Sequence, residues 1–122
     1  MTDIDMSEVR ELSASLGRAS GAVVKGAVPV VFKGLMNIKT ETRKRVSSDP
    51  TWKRLAASVN FDQAGLSGEV GYDDVGQGEL AGIAEFGSAR HAPHPALIPA
   101  AAEEAPRFEK AMADLAVKAL GL

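Results

Sequence analysis

The chain has 122 residues, of which 45% are hydrophobic and 25% charged, and its formal net charge is −2. That length suits one domain (1–122) able to bury a modest core. Aromatic residues are only 5%, so the core falls to Val, Leu, Ile and Ala, and the lack of cysteine excludes disulfides and thiolate metal sites while leaving the compartment open.

The start of the chain, with Asp3, Asp5 and Glu8, lacks the basic front of a signal peptide. The longest apolar run, Gly26–Phe32, falls short of the roughly 18 residues a membrane span needs, so no membrane partner is expected. Charge is unevenly placed. Residues 25–54 hold eight basic groups and two acidic ones, whereas residues 55–122 hold ten acidic and four basic. Lys39, Arg43, Lys44, Arg45, Lys53 and Arg54 form the basic segment. Such a segment is either a solvated helix face or a surface for an acidic partner or for DNA bound without sequence preference.

Residues 1–6 read as a flexible N-terminus and 7–47 as helical. Asp5 or Ser7 can cap the helix, and Glu8 and Glu11 suit its positive pole. Val9, Leu12, Leu16, Ala19, Val23, Ala27, Val31, Leu35 and Ile38 recur at three- and four-residue steps, the period of an amphipathic helix. Gly17, Gly21 and Gly26 weaken it by about 1 kcal/mol each. Pro29 removes a donor, which predicts a kink or break between Gly26 and Pro29. Ser48-Asp49-Pro50 ends the helix.

Residues 54–87 read as a sheet. Leu55, Ala57, Val59 and Phe61 alternate on one face, Gln63–Gly65 turns, and Leu66, Gly68, Val70 and Tyr72 return on one face as a hairpin. Asp73–Gly78 is a polar loop. Ile83 and Phe86 lie in a third short element, strand or helical turn; as a strand it makes the sheet three-stranded. Residues 88–98 form a proline-rich loop. Pro99 opens an alanine-rich helix to residue 120, amphipathic from Pro106 onward through Phe108, Met112, Leu115 and Ala119, with Gly121 as its C-terminal cap. The expected architecture is therefore α+β: a long kinked N-terminal helix, a small antiparallel three-stranded sheet, and a C-terminal helix packed on that sheet. Open sheet edges invite a second chain.

Few residues suggest catalysis. His91 and His94 follow Glu85, but they lie in a loop with two prolines, without a third His or a Cys to complete a zinc site. Ser88 near His91 lacks the Gly-x-Ser-x-Gly elbow of a hydrolase. Gly65-Leu66-Ser67-Gly68 and Gly76-Gln77-Gly78 lack the Gly-Lys-Ser/Thr of a phosphate loop. The acidic pairs Asp73–Asp74 and Glu103–Glu104 read as solvated charges. No cofactor and no enzymatic activity are expected. The basic run lacks the interleaved aromatics of a sequence-specific nucleic-acid reader. Trp52 reads as the cover of a sheet edge or as an interface anchor. In the segment Glu85-Phe86-Gly87-Ser88-Ala89-Arg90-His91-Ala92-Pro93-His94-Pro95, Gly87 permits a backbone turn and the two prolines stiffen the loop beyond it. A stiff loop holds one shape, as a rigid connector or as a repeated interface.

The order of these parts resembles the tail-component family of long-tailed bacteriophages. In that family a Glu-Phe-Gly-Thr/Ser turn precedes a His/Pro/Ala-rich loop and a Pro-Phe-Leu-Arg-Pro-Ala-like approach to the last helix. Here the approach reads Pro95-Ala96-Leu97-Ile98-Pro99-Ala100. A family segment similar to Pro-x-x-Thr-Gly-x-Leu-x-x-Ser-Ile corresponds to Pro50, Leu55, Ser58 and Val59, with Trp52-Lys53 near the missing Thr-Gly. Ser88 stands for the commoner Thr, and Ala96 for Phe. The resemblance implies a structural virion protein of the tail or neck, assembled in the host cytoplasm. Such subunits form rings, commonly hexameric, around the DNA channel, between the tail tube or tail-terminator protein and the head-side connector or stopper. It implies that Glu85, Phe86, Gly87, Arg90, His91, Pro93, His94, Pro95, Ile98, Pro99 and Trp52 lie at a subunit interface. The basic residues would then face genomic DNA in the lumen or an acidic neighbour. A tail terminator ring that caps the tube is the nearest alternative, and a non-specific nucleic-acid-binding module is an alternative from another class.

Overall fold

The structure, a computed structural model, describes residues 6–73 and 80–121. Expectations for residues 1–5, including Asp5 as a cap, and for residues 74–79 of the polar loop lie outside the described residues, as do the side chains of Glu8, Val9 and Leu12. Helix α1 (Met6–Ser47) leads into a 3-10 helix (Lys53–Ser58), strands β1 (Val59–Ala64) and β2 (Ser67–Tyr72), and helices α2 (Ala81–Phe86) and α3 (Leu97–Ala119).

Of the kink or break expected between Gly26 and Pro29, the break does not occur: α1 runs through Pro29 as one helix of 42 residues. Pro29 is exposed, so its ring meets solvent, and packing on both sides of it holds the helix together. Gly26 is a notch rather than a weak point, because a Cβ there would meet Leu115 of α3. A Cβ on Gly34 would likewise touch the Phe108 ring at 3.4 Å. The order of these contacts makes α3 run antiparallel along α1. Helix α3 therefore packs chiefly on α1 and not, as expected, on the sheet. The hairpin occupies a different face of α1.

Among the described residues the sheet has two strands, not three. β1 and β2 pair antiparallel from Val59↔Tyr72 to Ala64↔Ser67. Gly65, at φ 59, supplies the positive φ of a two-residue turn. The face that carries Val59, Phe61, Gly68, Val70 and Tyr72, as its alternation predicts, lies on α1. A Cβ on Gly68 would collide with Leu35. The Phe61 ring meets Phe32 edge-on at 5.5 Å and lies under the Lys39 ammonium at 5.5 Å. The Gln63 amide donates to the Val28 carbonyl at 2.9 Å and so ties the hairpin to α1 near Pro29.

Leu55–Ser58 is 3-10 helix rather than strand. Its period is three, not two. Amides of Asp49, Trp52 and Leu55 donate to the carbonyls of Val46, Asp49 and Trp52 in successive three-residue turns. This brings Val46, Trp52, Leu55 and Ser58 to the inside together. The third sheet element is α2, a short helix that buries Ala84 and Glu85 on consecutive positions, which no strand alternation would do. Val46, Trp52, Leu55, Ala84 and Ala96 form the main core at the C-terminal end of α1. Each large side chain fully buried there contributes about 1.5–3 kcal/mol.

Candidate functional site

The Glu85–Pro99 bend is built from inside. Gly87 ends α2 at φ 79, its amide donates to the Ile83 carbonyl at 2.7 Å, and Pro93 Cδ lies where a Cβ would stand, at 2.9 Å. The Ser88 amide donates to the His91 carbonyl at 2.8 Å, and Ser88 Oγ accepts the amides of Arg90 and His91 at 3.3 and 3.2 Å. The His94 amide returns to the Ala84 carbonyl at 2.6 Å. These hydrogen bonds tie the loop to itself and back to α2.

Glu85 anchors the arrangement. It is 6% exposed, and its carboxylate accepts the amides of Ala96 and Leu97 at 2.9 Å each and of Ile98 at 3.3 Å. These are donors at the start of α3 with no partner inside the helix, and the negative charge also suits the positive pole. Ala96 offers no side-chain cap of its own. The acid on α2 thus supplies the cap that the local sequence lacks.

The structure divides the expected interface residues. Glu85 and Trp52 are turned inward, which corrects their placement at a subunit contact. Trp52 is 7% exposed and packs in the core rather than over a sheet edge, because the turns after α1 swing it under Val46 and Leu55. Gly87 and Pro99 are partly buried. Phe86 and Ile98 flank the bend at 71% and 54% exposed. Arg90, His91, Pro93 and Pro95 are also exposed. The two histidines take separate partners: His91 meets the Trp52 ring edge-on at 5.6 Å, whereas His94 lies 3.4 Å from Asp49 and 3.2 Å from the Arg45 carbonyl oxygen. Among the described residues no group of three His, Cys, Asp or Glu is placed to hold a metal.

The basic segment divides too. The Arg43 guanidinium donates to the Val59 carbonyl at 3.1 and 2.8 Å and to Asn60 Oδ1 at 3.3 Å, so it splices α1 to the start of β1. Arg45 pairs with Glu41 at 3.1 Å and with Glu103 of α3. Neither is a free lumen cation, because both complete contacts inside the fold. Lys39 is half-buried over Phe61. Lys44, Lys53 and Arg54 are exposed.

A surface that periodicity could have revealed lies along α1. Val24, Val28, Phe32 and Met36, four residues apart, are 49%, 38%, 47% and 37% exposed, with Leu16 at 55% further along. Reading only the inward row Ala27, Val31, Leu35 and Ile38 passes over this second row. The helix from Ser13 to Ser47 is long and apolar enough to cross a membrane by length and composition, with mean hydropathy 1.3 in its best window. Counting uninterrupted runs hides this, since isolated Lys25 and Lys33 divide the stretch. No family model, curated protein or solved structure matches this chain.

Proposed function

We propose that this chain is a structural virion protein of the phage head–tail junction: a tail-completion or neck subunit that forms a ring around the DNA channel and joins the tail tube to the head connector. The order of its motifs, from Pro50 through Glu85-Phe86-Gly87-Ser88 to Pro95-Ala96-Leu97-Ile98-Pro99-Ala100, supports this reading. The observation that carries it is the bend. Its inner side is completed by Glu85 and Gly87, and its outer side presents Phe86 and Ile98 to whatever docks there. Braced from within, that surface is pre-formed, which lowers the ordering cost of each contact. Repetition around a ring turns one heterologous contact into a closed assembly. Contacts repeated on each ring face then reinforce one another.

Function here is assembly rather than turnover. The exposed cations Lys44, Lys53 and Arg54 face either DNA in the lumen or an acidic neighbour. Reversing all three to Glu should sharply lower the yield of infectious particles and leave complete free tails beside full, unattached heads. The melting temperature should stay near that of wild type, since among the described residues none of the three makes a fold contact of the Arg43 kind. Unchanged particle yield overturns the role of these cations. Tails of uncontrolled length after deletion of the chain would make it a terminator instead.

A further inference from the structure

Two features on opposite sides of α1 fit each other. The first is an open groove of about 380 Å³ between α1 and α3, floored by Pro29, Val30, Phe108 and Ala111. The exposed cations Lys33 and Arg107 also line it. Its one acid among the described residues, Glu104, is buried: Asn37 Nδ2 donates to its Oε1 at 3.0 Å, and Arg107 forms an ion pair with its Oε2 at 3.7 Å and another with Glu103 at 4.0 Å. Lys33 has no ion-pair partner among the described residues. The groove is thus apolar below and cationic above.

The second feature is the hairpin. Asp62 and Glu69 stand directly opposite each other across its exposed face. Like charges in that register destabilise a strand pair, and neither acid has an ion-pair partner among the described residues. Beside them the turn holds Leu66, 49% exposed. The hairpin contacts the Val28, Phe32, Leu35 and Lys39 side of α1, whereas the groove lies on its Val30, Lys33 and Asn37 side. At 3.6 residues per turn these two sets lie roughly half a turn apart.

We infer that the hairpin tip of one copy seats Leu66 in the α1/α3 groove of the next copy, with Asp62 and Glu69 against Lys33 and Arg107. The occupant is a second copy of this chain because its acids match the cations that border the groove and its leucine matches the floor. Opposite placement makes the contact head-to-tail, so each copy offers one hairpin and one groove, and a suitable rotation closes the chain of copies into a ring. This contact rests on the self-assembly in the proposed function and supplies a specific surface for it.

The test is a charge swap on the full-length chain, followed by sedimentation velocity at low salt. Asp62→Lys with Glu69→Lys makes both hairpin and groove basic; Lys33→Glu leaves the hairpin acidic and adds an acid to the groove while sparing the Arg107–Glu104 contact. Each variant alone should associate about tenfold or more weakly than wild type, because like charges now meet. An equimolar mixture should recover assembly, since each hairpin then finds a groove of opposite sign. Leu66→Ala should weaken association about tenfold through lost apolar burial. Circular dichroism shows whether each variant keeps its helices, and Leu66→Ala, which alters no charge, reads the same contact should a reversal unfold the chain. Variants that assemble like wild type, or a mixture that recovers nothing, overturn this contact while leaving ring assembly standing. A wild-type chain that stays monomeric, alone and with the tail-tube subunit, overturns self-assembly itself.

Discussion

The Glu85 carboxylate accepts the Ala96 amide at 2.9 Å, so an acid on one short helix caps another helix that begins twelve residues after it. Removing the carboxylate leaves three amides of α3 without that partner and opens a hole beside Ala84 and Ala96. Glu85→Ala should cost about 2–3 kcal/mol, and Glu85→Gln less because one acceptor oxygen remains. Thermal unfolding of both variants checks this. A Glu85→Ala chain within about 0.5 kcal/mol of wild type would mean that the cap is not what orders the bend.

The glycines should respond with opposite signs. Gly87 sits at φ 79 with Pro93 Cδ at 2.9 Å from an added Cβ, so Gly87→Ala meets strain and collision together and should cost about 1–3 kcal/mol. Gly17 and Gly21 are exposed on α1 with nothing within 4 Å of an added Cβ. Alanine at either should stabilise by up to about 1 kcal/mol through helix propensity. Urea denaturation of the three single variants compares them directly. A destabilised Gly17→Ala would show that this part of α1 needs its bare backbone for a contact outside the monomer.

Tyr72 gives the fold an alkaline limit. Burial, and secondarily the charge of Glu85, push its phenol from 10.0 up to about 12. The folded chain therefore holds this proton more tightly than the unfolded one. The resulting stability is whole below about pH 10 and is lost as pH rises toward 12. Tyr72 is the only tyrosine, so tyrosinate absorbance reads it alone. Its hydroxyl is buried and finds no hydrogen-bond partner among the described residues. Tyr72→Phe should thus change stability at pH 7 by less than about 1 kcal/mol and flatten the alkaline decline. Ionisation at the ordinary phenol value in the folded chain would contradict the burial.

The amino-acid order alone determines the helices at both ends, because an amphipathic stripe repeated over many turns tolerates only one regular backbone. It also determines the hairpin between Val59 and Tyr72, through period-two alternation around a Gly turn, and the need for a bend at Gly87. Folding decided the rest. Leu55–Ser58 mimics a strand because a short apolar run satisfies period two and period three nearly as well, and only Val46 and Trp52, folded beside it, select the latter. Pro29 resembles a break until α3 and the hairpin grip the helix on either side of it. Glu85, Trp52, Arg43 and Arg45 look like surface chemistry in one dimension; each is engaged within the fold, Glu85 by unfilled amides, Trp52 by apolar neighbours, Arg43 by a carbonyl and Arg45 by two acids. Phe86, Ile98, Leu66 and the outer row of α1 are left outside for the converse reason: a chain of this length, folded around one central helix, has too little interior to bury every apolar side chain it carries.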